Sequence, residues 1–302
     1  MGAKHNIIVA ADGKYPFMLK KISKPPKKLF YRGELGVVNG LCVAVVGTRY
    51  CSDYGLSMTR KIVADLVEFG AVIVSGLALG VDSMAHSTAL EMGGKTVAVL
   101  GSGLDNVYPN YNRGLADKIV ASGRGLVVSE LEPDAKGLAF HFPMRNRIIS
   151  GLSQAVVVVE APKKSGALIT AKYALGQNRD VFVVPGDVDR SSGRGILELM
   201  QSGGGFPVSC GADIFDYMKL QPSLFAASKN VDEGGVVNSS PEGLEGYEKK
   251  IYGVLNTRDW KSADFITRKL LIPVVEVLSN LTMLELKGLV EGNSGRFRRS
   301  KL

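Results

Sequence analysis

Residues 142–170 read FPMRNRIISGLSQAVVVVEAPKKSGALIT, and this stretch decides the fold. Ala155 to Val159 is an apolar, mostly β-branched run without alternation, the pattern of a strand covered on both faces in a parallel sheet. Before it, Arg145-Asn146-Arg147 opens a segment with Ile148, Ile149 and Leu152 at helical spacing, which sets two guanidinium groups near a helix start. After it, Glu160-Ala161-Pro162-Lys163-Lys164-Ser165-Gly166 leaves the carboxyl end of the strand and enters a second helix, Ala167 to Gln177. Ligands of open α/β sheets bind at the carboxyl ends of strands, where helix N-termini expose unpaired N–H groups. The expected ligand is therefore an anion.

Outward from this stretch the pattern of strand, glycine-containing turn and helix repeats. LCVAVVG, AVIVSG, TVAVLG, GLVVSE, AVVVVEA and DVFVVPG follow one another from Leu41, most of them separated by helical stretches long enough for right-handed crossovers. This predicts an α/β fold, a Rossmann-like doubly wound parallel sheet over residues 41–218. Residues 1–40 read as a basic N-terminal extension, because Pro25-Pro26 disfavours helix while Lys20, Lys21, Lys24, Lys27, Lys28 and Arg32 concentrate charge. Residues 219–243 lose periodicity and gain Gly, Ser, Asn and Pro, the composition of a linker.

Residues 244–302 form a smaller unit. Glu245 to Asn256 is amphipathic, Ser262 can cap a helix containing Phe265, Ile266 and Leu270, and Pro273 opens a third with Val274, Val277, Leu278 and Leu281 on one face. With the hairpin-like end that follows, these predict a small C-terminal winged-helix domain.

The chain has 302 residues, 45% of them hydrophobic and 22% charged, enough for a full core and more than one domain. Its net charge of +8 favours an anionic polymer or surface as partner. Cys42, Cys51 and Cys210 lack metal-ligand spacing and cannot build a disulfide framework, so reduced structural thiols are expected. No apolar run approaches the roughly 20 residues needed to span a bilayer, and the N-terminus lacks an apolar signal core. The expectation is a cytoplasmic protein without a membrane partner.

Five strand ends carry related chemistry: Gly47-Thr48-Arg49, Ser75 to Gly80, Gly101 to Asp105, Lys163 to Gly166, and Pro185-Gly186. Small residues let a phosphate approach backbone N–H groups, and helix dipoles after Thr48 and Ser165 add positive potential. One such loop alone is ordinary strand-to-helix turning, but five of them with Arg49, Arg145, Arg147 and Lys164 predict an anion-binding rim. Tyr108, Tyr111, Phe140 and Phe142 interleave with this rim near Arg113, and basic grooves with aromatic faces suit single-stranded nucleic acid.

Several catalytic readings fail. Ala89 to Thr96 mimics a phosphate loop but runs from helix to strand, the reverse of a working one. Gly101-Ser102-Gly103 lacks the third glycine of a dinucleotide fingerprint, with Asn106 in its place. The histidines are His5, His86 and His141, and no Gly-x-Ser-x-Gly elbow accompanies them. His86 is expected to hydrogen-bond between packed helices. Asp82, Asp105 and Glu130 are expected to pair with rim arginines, because no hard-metal ligand cluster surrounds them. Neither a catalytic residue, a cofactor nor a metal is expected.

The motifs VAVVGTR, VSGLALGVDSMAH, VAVLGSGLDNVYPNYNR, FPMRNRIISGLS, VVVVEAPKKSGALITAKYAL and VFVVPG stand in an order that resembles the DNA-processing protein A (DprA, or Smf) family over about residues 15 to 218. The resemblance implies a cytoplasmic, homodimeric, sequence-independent single-stranded DNA binder that protects incoming strands in natural transformation and loads a RecA-type recombinase. Its implied DNA-binding residues are Gly47, Thr48, Arg49, Arg113, Phe140, Arg145, Asn146, Arg147, Lys164, Ser165 and Gly166. Thr48 stands where Ser is usual, and Leu197 where members commonly carry Asn. The end of the chain is similar to the winged-helix module of many members. A rival is the related lysine-decarboxylase-like group, which cleaves nucleoside monophosphates. Its Pro-Gly-Gly-x-Gly-Thr-x-x-Glu loop is not matched by Pro185-Gly186-Asp187-Val188-Asp189.

Overall fold

The structure, a computed structural model, describes residues 5–218, 244, 246–257, 260–293 and 295–300. The chain divides into two compact units, Met1–Phe225 and Ala226–Leu302. The expected linker at 219–243 lies outside the described residues.

In the first unit the chain runs β1 (Asn6–Val9), α1 (Phe17–Lys20), β2 (Lys28–Gly33), β3 (Cys42–Val46), α2 (Asp53–Glu68), β4 (Val72–Ser75), α3 (Val81–Glu91) and β5 (Lys95–Val99). It continues through α4 (Arg113–Ala121), β6 (Gly125–Ser129), α5 (His141–Leu152), β7 (Ala155–Val158), α6 (Gly166–Gly176), β8 (Asp180–Val183), α7 (Arg194–Gln201), β9 (Phe206–Pro207) and α8 (Gly211–Tyr217). The strands form one nine-stranded sheet in the order β1-β2-β6-β5-β4-β3-β7-β8-β9. From β6 to β9 every neighbouring pair is parallel, in register from Val97↔Leu126 through Val43↔Ala155 to Val156↔Val181. The six strands expected from Leu41 onward are β3 to β8.

Both sheet faces are covered. Val74, Val99 and Val156 point into a core closed by Leu19 of α1, Ile148 and Ile149 of α5 and Ala171 of α6. On the opposite face Ala98 and Val127 pack with Ala116 and Ile119 of α4. Strands with both faces buried need no polar alternation, which explains the unbroken apolar runs. After β3 the chain winds outward through β4, β5 and β6, then returns to place β7 on the other side of β3. That reversal opens a crevice at the carboxyl ends of β3 and β7.

The basic segment before residue 41 is part of the sheet, which differs from the expected extension. β2 pairs antiparallel with β6 through Phe30↔Ser129 and Tyr31↔Val128, and β1 pairs antiparallel with β2. Leu29 and Phe30 are buried, while Lys28 and Arg32 reach Glu132 and Asp117 in ion pairs. The lysine-rich flanks mask a short strand whose partner lies a hundred residues away in the chain. Leu19 and Ile22 lie close against Gly151 of α5, where an added Cβ would meet Leu19 Cδ1 at 2.8 Å.

The second unit contains α9 (Gly246–Val254), β10 (Lys261–Ser262), α10 (Ala263–Leu270), α11 (Val274–Leu286), β11 (Val290–Asn293) and β12 (Arg296–Arg299), with the strands in antiparallel order β10-β12-β11. Ser262 caps α10 by accepting a hydrogen bond from Phe265 N–H at 3.1 Å. On α11 the buried residues are Val277, Leu281 and Leu284, whereas Val274 and Leu278, expected on the packed face, are exposed.

Candidate functional site

A cleft of about 610 Å³ opens at the switch point. Its wall on the β3 side is Gly47-Thr48-Arg49 with Tyr50; α5 contributes Phe142, Arg145, Asn146 and Ile149; the start of α6 contributes Ser165, Gly166 and Ala167. Thr48 N–H donates to the Glu160 carbonyl at 2.7 Å, which ties the β3 loop to the end of β7. A Cβ at Gly47 would stand 2.5 Å from Val81 Cγ2, so the β3 loop can lie this close to α3 only with glycine there.

Ser165 caps α6 by accepting from Ala167 N–H at 3.2 Å. No acidic side chain occupies the first turn of α6, so its positive end is uncompensated by its own residues. Asn146 Nδ2 donates to the Gly166 carbonyl at 3.1 Å and fixes α5 against the start of α6.

The two cleft arginines differ in environment. Arg145 is 7% exposed, and its Nη1 donates to the carbonyl of Gly76 at 2.6 Å and to that of Val99. It therefore bolts together the carboxyl ends of β4 and β5. Burial lowers its pKa to about 10, with the Asp82 carboxylate opposing the shift and Arg49 adding to it. Asp82 is buried as well and accepts from Gly76 N–H at 3.1 Å and Ala78 N–H at 3.4 Å; loss of hydration raises its pKa, against the pull of Arg145. Arg49 is exposed, lies 5.6 Å from the Phe142 ring centroid and makes no ion pair among the described residues. Arg113, at the start of α4, is likewise exposed and without an ion pair among the described residues.

Of the residues expected at the site, the cleft brings together Gly47, Thr48, Arg49, Arg145, Asn146, Ser165 and Gly166, but not Arg113, Phe140, Arg147 or Lys164. Arg147 is turned aside: its Nη2 donates to both Glu130 oxygens at 2.7 Å. Lys164 is exposed on the loop before α6, in left-handed backbone with φ +62°. Phe140 is 59% exposed and stacks edge-on against His141. Tyr108 and Phe142 line the cleft with centroids 5.3 Å apart, and Tyr50 and Tyr111 are 89% and 87% exposed.

Glu130 thus meets the expected pairing with a rim arginine, whereas Asp82 makes no ion pair among the described residues and its Oδ2 accepts from backbone N–H groups. Sequence reasoning passed over Tyr50, which follows Arg49 directly, and Glu160, whose Oε2 accepts from Ser52 N–H at 3.0 Å at the start of α2. His86 is fully buried, and its Nδ1 meets Thr96 Oγ1 at 2.7 Å. It bonds to strand β5, not to a neighbouring helix. The Thr96 hydroxyl proton goes to the Ile73 carbonyl, so Nδ1 must be the protonated nitrogen. Among the described residues no group of His, Cys, Asp and Glu could hold a metal ion, and no helix is long and apolar enough to cross a membrane.

A mostly parallel α/β sheet with an anion-attracting cleft at its switch point defines the class. The chain belongs to the DNA recombination-mediator protein A family, whose sequence model matches residues 6–219. It is 50% identical over 198 residues to Protein Smf of Synechocystis, covering 64% of this chain and about half (49%) of that relative's length. It is 45% identical over 203 residues to the DNA processing protein DprA of Streptococcus pneumoniae, covering 67% of this chain and 71% of that protein. The crystal structure of DNA processing protein A from Streptococcus pneumoniae superposes with a TM-score of 0.67 at 43% identity, covering 71% of this chain and 75% of that one. DNA processing protein A from Helicobacter pylori, described for its single-stranded DNA binding mode, superposes with a TM-score of 0.64 at 30% identity, covering 72% of this chain and 96% of that one.

Proposed function

We propose that this protein binds single-stranded DNA without sequence preference along the cleft and its rim, protects incoming strands in natural transformation and delivers them to a RecA-type recombinase as a homodimer. The observation that carries the reading is the pairing of Arg49 and Arg113, exposed and outside any ion pair among the described residues, with the exposed rings of Tyr50, Tyr111 and Phe140. Guanidinium groups neutralise backbone phosphates, and aromatic faces stack on bases of any identity, worth about 1–3 kcal/mol per base. The single-stranded DNA binding described for the Helicobacter pylori protein supports the same assignment.

We assign no catalytic role to the cleft. His86 is sealed from it with its pKa lowered to about 3, chiefly by burial, and Asp82 and Glu160 are committed to backbone N–H groups. We read the second unit as a winged helix with an auxiliary role. α11 carries Glu276 and Glu285 on its surface, Lys287 is held by Glu248 at 2.7 Å, and Arg298 pairs with Glu291 at 2.8 Å while stacking on Trp260. Such committed cations suit duplex phosphates poorly. The testing experiment is a competition of single-stranded DNA, duplex DNA, RNA and nucleoside monophosphates for binding, with product analysis of the last. Single-stranded DNA should compete best and the monophosphates should be recovered intact; released base or phosphate would move the assignment to a nucleotide-cleaving enzyme.

A further inference from the structure

Resting on the reading of the rim as a single-strand binder, we propose that the cleft behind it receives one terminal nucleotide carrying a phosphomonoester, as a strand end or a free nucleoside monophosphate. The cleft is lined on its inner side by Val46, Ile149 and Ala167, all three buried side chains of the core.

Three positive features line the cleft together with one acid, Asp82, whose pKa burial raises toward the neutral form. The first is the N-terminus of α6, where the space in front of Gly166 is open and a Cβ would meet no atom within 4 Å. The second, independent of it, is the guanidinium of Arg145, which is more than nine-tenths buried. Its Nη1 is used by Gly76 and Val99, but Nη2 makes no hydrogen bond among the described residues and Nε is buried without a partner. Arg49 stands at the mouth as the third. A phosphodiester brings one negative charge, whereas a phosphomonoester at neutral pH brings nearly two and three strong acceptor oxygens. Tyr108 and Phe142 give the attached base an aromatic wall.

The test uses the full chain and one oligodeoxythymidylate with a 5′-hydroxyl, a 5′-phosphate or a 3′-phosphate end, together with free thymidine and its 5′- and 3′-monophosphates. A phosphorylated end should bind about tenfold tighter than the hydroxyl end, the size of one added charge-assisted contact. A monophosphate that binds while thymidine does not identifies the free nucleotide as a second source of the same group. Gly166→Asp puts a carboxylate into the open space without a steric clash and should erase the preference for phosphate. Strands that bind equally whatever their ends, with neither monophosphate bound, overturn this proposal and leave the rim assignment standing. Failure of every strand to bind overturns both.

Discussion

Arg145 gives up most of its hydration to hold two backbone carbonyls, while Arg49 keeps its hydration at the mouth of the same cleft. Sequence reading grouped them in one basic rim, Arg49 after the small residues Gly47-Thr48 at a strand end and Arg145 near a helix start. Burial, which no local motif encodes, separates the two: Arg145 holds backbone through Nη1 and leaves Nη2 unused among the described residues, whereas the whole Arg49 side chain stays exposed. His86 shows the same effect in a form that pH can test. Its pKa falls from 6.5 to about 3 through burial, helped by the positive charge of Arg145. The unfolded chain therefore binds a proton below pH 6.5 that the folded chain refuses, and this group's contribution to stability is lost as pH falls, by about 1.4 kcal/mol per pH unit. Asp82, whose pKa burial raises, acts with the opposite sign over the carboxylate range. Comparison with His86→Asn removes that shared background. Urea unfolding should show the wild-type chain losing stability more steeply than the variant between pH 6.5 and 5, and parallel curves would count against a buried neutral imidazole.

At the scale of elements, Arg145 is where α5 meets the ends of β4 and β5. Gly76 leaves room for it: a Cβ there would stand 2.4 Å from Arg145 Nη1. Arg145→Met should cost roughly 1–3 kcal/mol for each buried carbonyl it leaves without a donor, those of Gly76 and Val99. Gly76→Ala should cost about 1–3 kcal/mol by crowding the guanidinium. Since both act on one contact, the double variant should be little worse than Arg145→Met alone in denaturant unfolding. Full additivity would mean that the two do not share that contact. The parallel strands and their crossover helices were legible in the sequence because each is a long local pattern, and the place of the cleft at the carboxyl ends of the strands followed from their order. β1 and β2 were not legible. Their register comes from β6, and a short strand that follows a Pro-Pro pair and a lysine has no periodicity of its own. The packed face of α11 was misread for a related reason: apolar residues cover more than half of its circumference, so spacing could not choose between Leu278 and Leu284.

At the scale of the molecule, a sheet with both faces covered leaves its strand ends as the place where ligands enter, and the switch point concentrates helix dipoles and arginines there. The proposed contact of Arg49 and Arg113 with backbone phosphates of a single strand is tested most directly by the salt dependence of binding. Each phosphate contact contributes about 0.7 to the slope of log affinity against log salt. Binding of oligodeoxythymidylate and of mixed-sequence strands should be measured across a salt series for the wild-type chain and the Arg49→Ala/Arg113→Ala double variant, with melting temperatures alongside. Phosphate contacts by both arginines predict a slope flattened by roughly 1.4, equally for both strand types, with an unchanged melting temperature. An unchanged slope accompanied by a large loss of thermal stability would contradict it.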